Sequence, residues 1–178
     1  APPGLQTCVA AIDYQHPWDG LIARWKFRDD IGWSRHWADL MLRDRRAHAL
    51  WHAAALTVPV PVGPARLAER GYNQAWELIK ALRHRAPAHH PRGIPDALVR
   101  LRETADQHNL PRKQRLHNLR GAFVAHPRWR DTLAGQPVLL VDDVSTTGAT
   151  LEAAAQALLA AGAARVDALV LARTPAPG

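Results

Sequence analysis

The hydrophobic pattern changes period several times along the chain, and each change marks an element. Thr7–Tyr14 reads as a strand. Asp19 can cap a helix that runs through Leu21, Ile22 and Trp25. A second helix is predicted over about Ser34–Arg45, with Trp37, Leu40 and Met41 on one face; its basic tail, Arg43–His48, reads as a solvated helix end. Ala55–Val60 is a β-rich run interrupted by Pro59 and followed by Pro61, so a strand should stop here and a special turn begin. Tyr72, Ala75, Trp76, Ile79 and Leu82 then fall on one face of a helix. Ala86–Pro95 is a Pro/His loop, Ala97–Leu101 a short strand and Gly121–Ala125 another. Between those two strands, Arg102–Asn118 is polar and aperiodic, a long loop of the kind that usually carries function.

The last third is the most regular. Val138-Leu139-Leu140-Val141 is a four-residue apolar run, as expected of a strand buried on both faces. A helix follows with Leu151, Ala154, Leu158 and Leu159 inward and Gly162 just past its end. Val166–Ala172 is a second buried strand. Strand, helix and strand at this spacing make a βαβ unit, hence an α/β fold: a parallel twisted sheet with right-handed crossovers, flanked by helices. Ligands bind such sheets at the carboxyl ends of the strands.

At 178 residues the chain is long enough for one domain with a real core. No apolar run approaches the roughly 20 residues of a membrane span, and no basic-then-apolar leader is visible. The first residues are Ala-Pro-Pro-Gly rather than Met, so features missing at that end carry no argument. The one cysteine, Cys8, makes no intrachain disulfide and fits a reducing, cytoplasmic setting, where it reads as a small hydrophobe in a strand. Lys and Arg outnumber Asp and Glu by 23 to 16, a net charge of +7, which favours anionic partners. Most of the cations are Arg, whose planar fork suits phosphate. Seven Trp are scattered without a stacking array, and His84, His89 and His90 fall in a loop without clear metal-ligand spacing.

The chemistry concentrates at Val138–Thr150. The apolar strand delivers Asp142 and Asp143 to the rim of the sheet, where carboxylates can meet ribose hydroxyls or a hydrated Mg²⁺. Successive strand side chains alternate, so the two need not converge unless the strand end twists. Ser145, Thr146, Thr147, Gly148, Ala149 and Thr150 follow, small and rich in hydroxyls. Gly148 allows a close backbone approach, and the N–H groups at the helix start favour an anion. A ribose 5-phosphate satisfies the acidic pair and the anion cradle together. Neither a G-x-x-x-x-G-K-[ST] loop nor a G-x-G-x-x-G fingerprint occurs.

This stretch resembles the motif that binds 5-phosphoribosyl-1-diphosphate (PRPP) in type I phosphoribosyltransferases. The chain is similar, more narrowly, to the ComF family of competence-related, phosphoribosyltransferase-like proteins. That resemblance rests on three blocks: Val58–Pro61 continuing to Arg66-Leu67 and Arg70–Ala75; Arg100–Phe123 with Gln107, Arg115 and Asn118; and the PRPP motif with the Gly162–Arg173 tail. Trp25-Lys26-Phe27 is a weaker match.

The resemblance implies a Rossmann-like phosphoribosyltransferase core over 55–178, preceded by a small hood over 1–54 that would cover a nucleobase. Asp13-Tyr14 or Trp25-Lys26-Phe27 could line that hood, although Trp25 and Phe27 read better as packed core. It implies PRPP binding with Mg²⁺ held indirectly by Asp142 and Asp143. The 5′-phosphate would sit on residues 145–150. The diphosphate would sit at the Val60–Arg66 turn, with Val60, Pro61, Arg66 and Arg70. Gln107, Arg112, Lys113 and Arg115 would belong to a loop that closes over the ligand. A homodimer is a further implication of the fold.

Two features depart from the family patterns. Family members often begin with a cysteine-rich zinc module, and Cys8 cannot supply four ligands. Where oxopurine enzymes place an aspartate facing the base, this chain has Thr146, which disfavours hypoxanthine or guanine as acceptor. The expected function is Mg²⁺-dependent transfer of phosphoribosyl to a nitrogen nucleophile such as a nucleobase. The alternative is a PRPP-binding module that handles single-stranded DNA in natural transformation.

Overall fold

The Val138–Val141 run lies at the centre of a five-stranded parallel sheet, ordered β1-β7-β6-β2-β3. The computed structural model describes residues 2–27, 32–101 and 121–175. Its strands are β1 (Cys8–Asp13), β2 (Leu56–Pro59), β3 (Arg92–Gly93), β4 (Leu98–Arg100), β5 (Phe123–Ala125), β6 (Pro137–Ser145) and β7 (Arg165–Arg173). Its helices are α1 (Trp18–Phe27), α2 (Trp33–Arg43), α3 (Arg45–Ala53), α4 (Pro64–Arg70), α5 (Gln74–Arg85), α6 (Arg130–Leu133) and α7 (Ala149–Ala160). β4 and β5 form a separate antiparallel pair. The intervening loop residues Gln107, Arg112, Lys113 and Arg115 lie outside the described residues.

Alternation along the central strands splits the core in two. Leu139 and Val141 of β6, with Leu169 and Leu171 of β7, face α1, α2, α3 and α5, where they meet Ile22, Trp25, Trp37, Met41, Trp51 and Leu78. Val138 and Leu140, with Val166, Ala168 and Val170, face α7 and the β4–β5 pair, where they meet Leu151, Ala154, Leu158 and Phe123. Trp25, Trp37 and Trp51 are fully enclosed. Each such ring removes roughly 150–250 Å² from water. At ~25 cal/mol per Å² that contributes about 4–6 kcal/mol of gross stabilisation.

Several elements differ from the sequence expectation, each for a local reason. The second helix stops at Arg43, because Asp44 is extended and its carboxylate accepts from the backbone N–H groups of Arg46 and Ala47. The basic run Arg43–His48 is therefore a junction between two helices, and α3 continues to Ala53. Asp19 sits inside the first turn of α1 rather than before it. The Pro59–Arg70 region carries a short helix, α4, that buries none of its residues and so leaves no apolar period to read. β2, which ends in Pro59, is an inner strand, flanked by β6 and β3. Pro59 tolerates this because it is the last residue of the strand.

The N-terminal segment packs directly on the core. β1 is hydrogen-bonded along β7 as the sheet's edge strand, and α1–α3 cover one face. Among the described residues no helix is long and apolar enough to cross a membrane.

Candidate functional site

The strand order reverses between β2 and β6. From β2 the chain continues outward to β3, whereas from β6 it continues the other way to β7. Crevices at the carboxyl ends of strands open at such reversals. β2 pairs with β6 only as far as Pro59 opposite Val141, with one further bond from Val60 N–H to the Val141 carbonyl at 2.9 Å. β6 remains paired with β7 through Ser145. Asp142–Ser145 therefore projects beyond β2, open on that side, beside the Val60–Gly63 turn.

The two aspartates leave the strand toward opposite faces. Asp143 continues the Leu139–Val141 side, and its Oδ2 is 2.9 Å from Lys26 Nζ at the end of α1. Both side chains are largely covered, at 14% and 17% exposure. Alternation puts Asp142 on the α7 side, and its Oδ1 accepts from the Asp143 N–H at 2.9 Å. Burial, then the adjacent Asp143 charge, pushes the Asp142 carboxyl well above the usual carboxylate range. Burial also acts to raise Asp143. It is outweighed by the Lys26 ammonium, the Val144 N–H and the Arg70 guanidinium, so Asp143 titrates below the usual range. The site thus presents Asp143 as a carboxylate ion-paired with Lys26, beside Asp142, whose protonated form burial favours.

Beyond the pair the chain turns into α7. Ser145 is buried, Thr146 exposed and Thr147 half-buried. Gly148 occupies the helix N-cap in the left-handed region, φ 79°, with no side-chain cap on the helix. A Cβ there would come within 2.6 Å of the Pro2 ring, so both the backbone and the packing require glycine. The nearest hydroxyl bond is long, from Ala149 N–H to Thr147 Oγ1 at 3.5 Å. The first turn of α7 (Ala149, Thr150) thus keeps backbone donors and the positive end of the helix dipole for an anion.

The opposite wall is the turn after β2. Val60 is buried and Pro61 half-buried. Asn73 organises this wall: its Nδ2 donates to the Val60 carbonyl at 3.1 Å, while its Oδ1 caps α5 by accepting from Ala75 and Trp76 N–H. Tyr72 ties the same corner to α1 through a 2.7 Å bond from its hydroxyl to the Trp25 carbonyl. Arg70 donates to Gln74 Oε1 at 3.3 Å, and the Gln74 Nε2 is buried with no hydrogen-bond partner among the described residues. Arg70 thus joins the acidic pair electrostatically, whereas Arg66 is exposed on α4. Trp25 is core, as expected of it.

Three participants escaped the sequence reading of the site. Lys26 was considered only as a hood residue, and its pairing with Asp143 depends on how α1 packs. Asn73 and Gln74 stood inside a matching block without a role. Their signal was the Asn directly before an amphipathic helix, which marks an N-cap. Among the described residues no group of three His, Cys, Asp or Glu side chains forms a metal cage.

Comparison with known proteins adds an independent line. The family described as phosphoribosyl transferase domain matches residues 67–178. The DNA utilization protein YhgH of Escherichia coli strain K12 is 36% identical over 177 residues, covering 97% of this chain and 74% of its own length. Competence protein F of Haemophilus influenzae is 34% identical over 175 residues, covering 96% of this chain and 74% of its own. Competence protein ComFC of Bacillus subtilis is 35% identical over 118 residues, covering 66% of this chain and 44% of its own.

Proposed function

The chain belongs to the phosphoribosyl transferase domain family, in its ComF group, and on that premise we propose that it binds PRPP with Mg²⁺ and transfers the phosphoribosyl group to a nitrogen nucleophile. The observation that carries this reading is the strand-order reversal between β2 and β6. It sets the start of α7, with its backbone donors, and the covered Asp142 on one side of a crevice, with the Val60–Gly63 turn and the arginines of α4 on the other.

In this reading the 5′-phosphate lies on residues 145–150, held by backbone N–H groups and the α7 dipole. Asp142 meets the ribose hydroxyls and the hydrated ion from the α7 side, and Asp143, held on the other side by Lys26, joins it where the strand end twists. Val60 and Pro61 shape the diphosphate turn, with Arg70 and Arg66 supplying positive charge. The nucleophile forms a bond to C1 while the C1–O bond to diphosphate breaks, and the diphosphate leaves with the electron pair. The bound ion would supply charge neutralisation at the diphosphate. The chain's own residues position the ribose, keep Asp143 ionised through Lys26, and stabilise charge on the leaving oxygens. Gln107, Arg112, Lys113 and Arg115 belong to the segment that would close over the ligand and exclude water. A reducing, cytoplasmic setting is part of the reading.

The test is calorimetric titration with PRPP, with and without Mg²⁺, on the wild type and on Asp142→Asn/Asp143→Asn. Mg²⁺-dependent binding that disappears in the folded double variant supports the proposal. Absence of binding by the folded wild type overturns it.

A second reading, handling of single-stranded DNA, is favoured by the relatives named for DNA utilization and competence and by one surface feature. Trp129 has two guanidinium groups over its ring, Arg92 at 5.4 Å and Arg128 at 4.9 Å from the centroid. Its Nε1 donates to Asp96, which also pairs with Arg128. Cations beside an aromatic suit a nucleic acid backbone and its bases. If this face carries DNA, Arg92→Gln should weaken binding across sequences and flatten the salt dependence by about one unit of slope.

A further inference from the structure

Three histidines from two segments meet at the amino-terminal end of the sheet, the end opposite the acidic pair. His48 and His52 are one turn apart on α3, which feeds into β2, and His89 lies in the loop that feeds into β3. The His48 and His52 Nε2 atoms are 3.2 Å apart, with ring centroids at 4.2 Å. The His89 ring stacks on His52 at 5.0 Å, with 21° between the planes. We propose that His48 and His52 chelate a divalent transition metal of the Zn²⁺, Ni²⁺ or Cu²⁺ class, and that the His89 ring, which is stacked on His52 in this structure and so not part of a three-ligand group, turns to become a third ligand.

The geometry carries the argument. Histidines at i and i+4 share one helix face. Two imidazole nitrogens bound to one tetrahedral Zn²⁺ at about 2.0–2.1 Å lie roughly 3.3–3.4 Å apart, and cis ligands of an octahedral ion lie about 2.9–3.0 Å apart. The observed 3.2 Å falls between these values. In the metal-free pair one Nε2–H donates to the other Nε2, and the ion replaces that proton. Imidazole selects Zn²⁺, Ni²⁺ and Cu²⁺ over hard ions such as Mg²⁺, which separates this site from the one at Asp142.

The surroundings are compatible. All three side chains are exposed, so an ion can enter and water can complete its shell. His89 is anchored by its backbone, because the buried Trp51 donates Nε1–H to the His89 carbonyl at 3.1 Å. A side-chain rotation then brings its imidazole from the stack toward the ion. His52 is in the last turn of α3, where the helix dipole favours a cation. Arg45, one turn before His48 on the same face, opposes it, which points to modest affinity. Chelation would pin the end of α3 to the loop entering β3.

The experiment uses the untagged full chain, stripped with a chelator that is then removed, titrated with ZnCl₂, NiCl₂ and MgCl₂ by calorimetry and followed by thermal melting. The wild type should bind Zn²⁺ and Ni²⁺ saturably and melt higher with them, with no response to Mg²⁺. His52→Gln should lower the affinity at least roughly tenfold, the usual scale for perturbing a metal shell. His89→Gln should lower it less, and His84→Gln should leave it unchanged. Because the altered rings are exposed, far-UV circular dichroism should report intact folds. Absence of saturable Zn²⁺ or Ni²⁺ binding by the folded wild type, or unchanged affinity in His48→Gln/His52→Gln, overturns the site. Unchanged affinity in His89→Gln overturns the third ligand.

Discussion

Replacing Lys26 by Met removes the only ammonium paired with Asp143 in the described structure while keeping most of the buried stem. At 2.9 Å, and with an effective dielectric of about 20, the gross attraction is about 6 kcal/mol. Releasing the lysine head to water offsets part of it. Truncating one member of a fully buried pair costs about 3–5 kcal/mol, and of an exposed pair about 0.2–1 kcal/mol. With 17% and 14% exposure the pair lies nearer the buried limit, so Lys26→Met should cost about 2–3 kcal/mol near neutral pH. The sign with pH follows from the lowered Asp143 titration. Its stabilising contribution is complete above the unfolded value of about 3.9 and is lost as pH falls through the lower folded value. The cost of Lys26→Met should therefore shrink on acidification below about pH 4. Urea unfolding of the wild type, Lys26→Met, Asp143→Asn and the double variant closes a cycle. A coupling of about 2 kcal/mol supports the reasoning. Additivity within ~0.5 kcal/mol refutes it, and Lys26 would then be an adjacent cation without hold on Asp143.

Asp142 carries the opposite sign. Its raised folded titration makes stability fall as pH rises from the unfolded value through the folded one, so Asp142→Asn should remove that slope and raise the ligand-free stability by about 0.5–2 kcal/mol, read by urea melts, while abolishing PRPP binding. Gly148→Ala forces a Cβ into a backbone of φ 79° and should cost about 1–3 kcal/mol in thermal or urea melts, together with weakened phosphate binding by calorimetry. Asp44→Ala deletes the α3 cap and should cost about 1 kcal/mol in urea unfolding, with greater hydrogen exchange confined to the start of α3.

Much of the fold and of the motif was legible because both are written in short-range terms. The buried strands announce themselves as uninterrupted apolar runs at Val138–Val141 and Val166–Ala172, and the βαβ spacing between them dictates a parallel sheet. Gly148 had to be glycine for the turn into α7, and strand alternation alone warned that Asp142 and Asp143 need not converge. α3 and α4 were not legible: a capping aspartate inside a basic run splits one helix into two, and α4, with no buried residue, leaves no hydrophobic period. Nor could any local pattern place Lys26 on Asp143, Arg70 within electrostatic reach of Asp143, or His89 against His52. Those pairings join segments far apart in the chain, and they arise only when the two helical layers close on the sheet. Local sequence determines which surfaces are apolar and where the backbone turns. Which charges then share a buried volume, and so which carboxylate keeps its proton, is decided by packing, because desolvation and Coulomb terms depend on distance in space and not on separation along the chain.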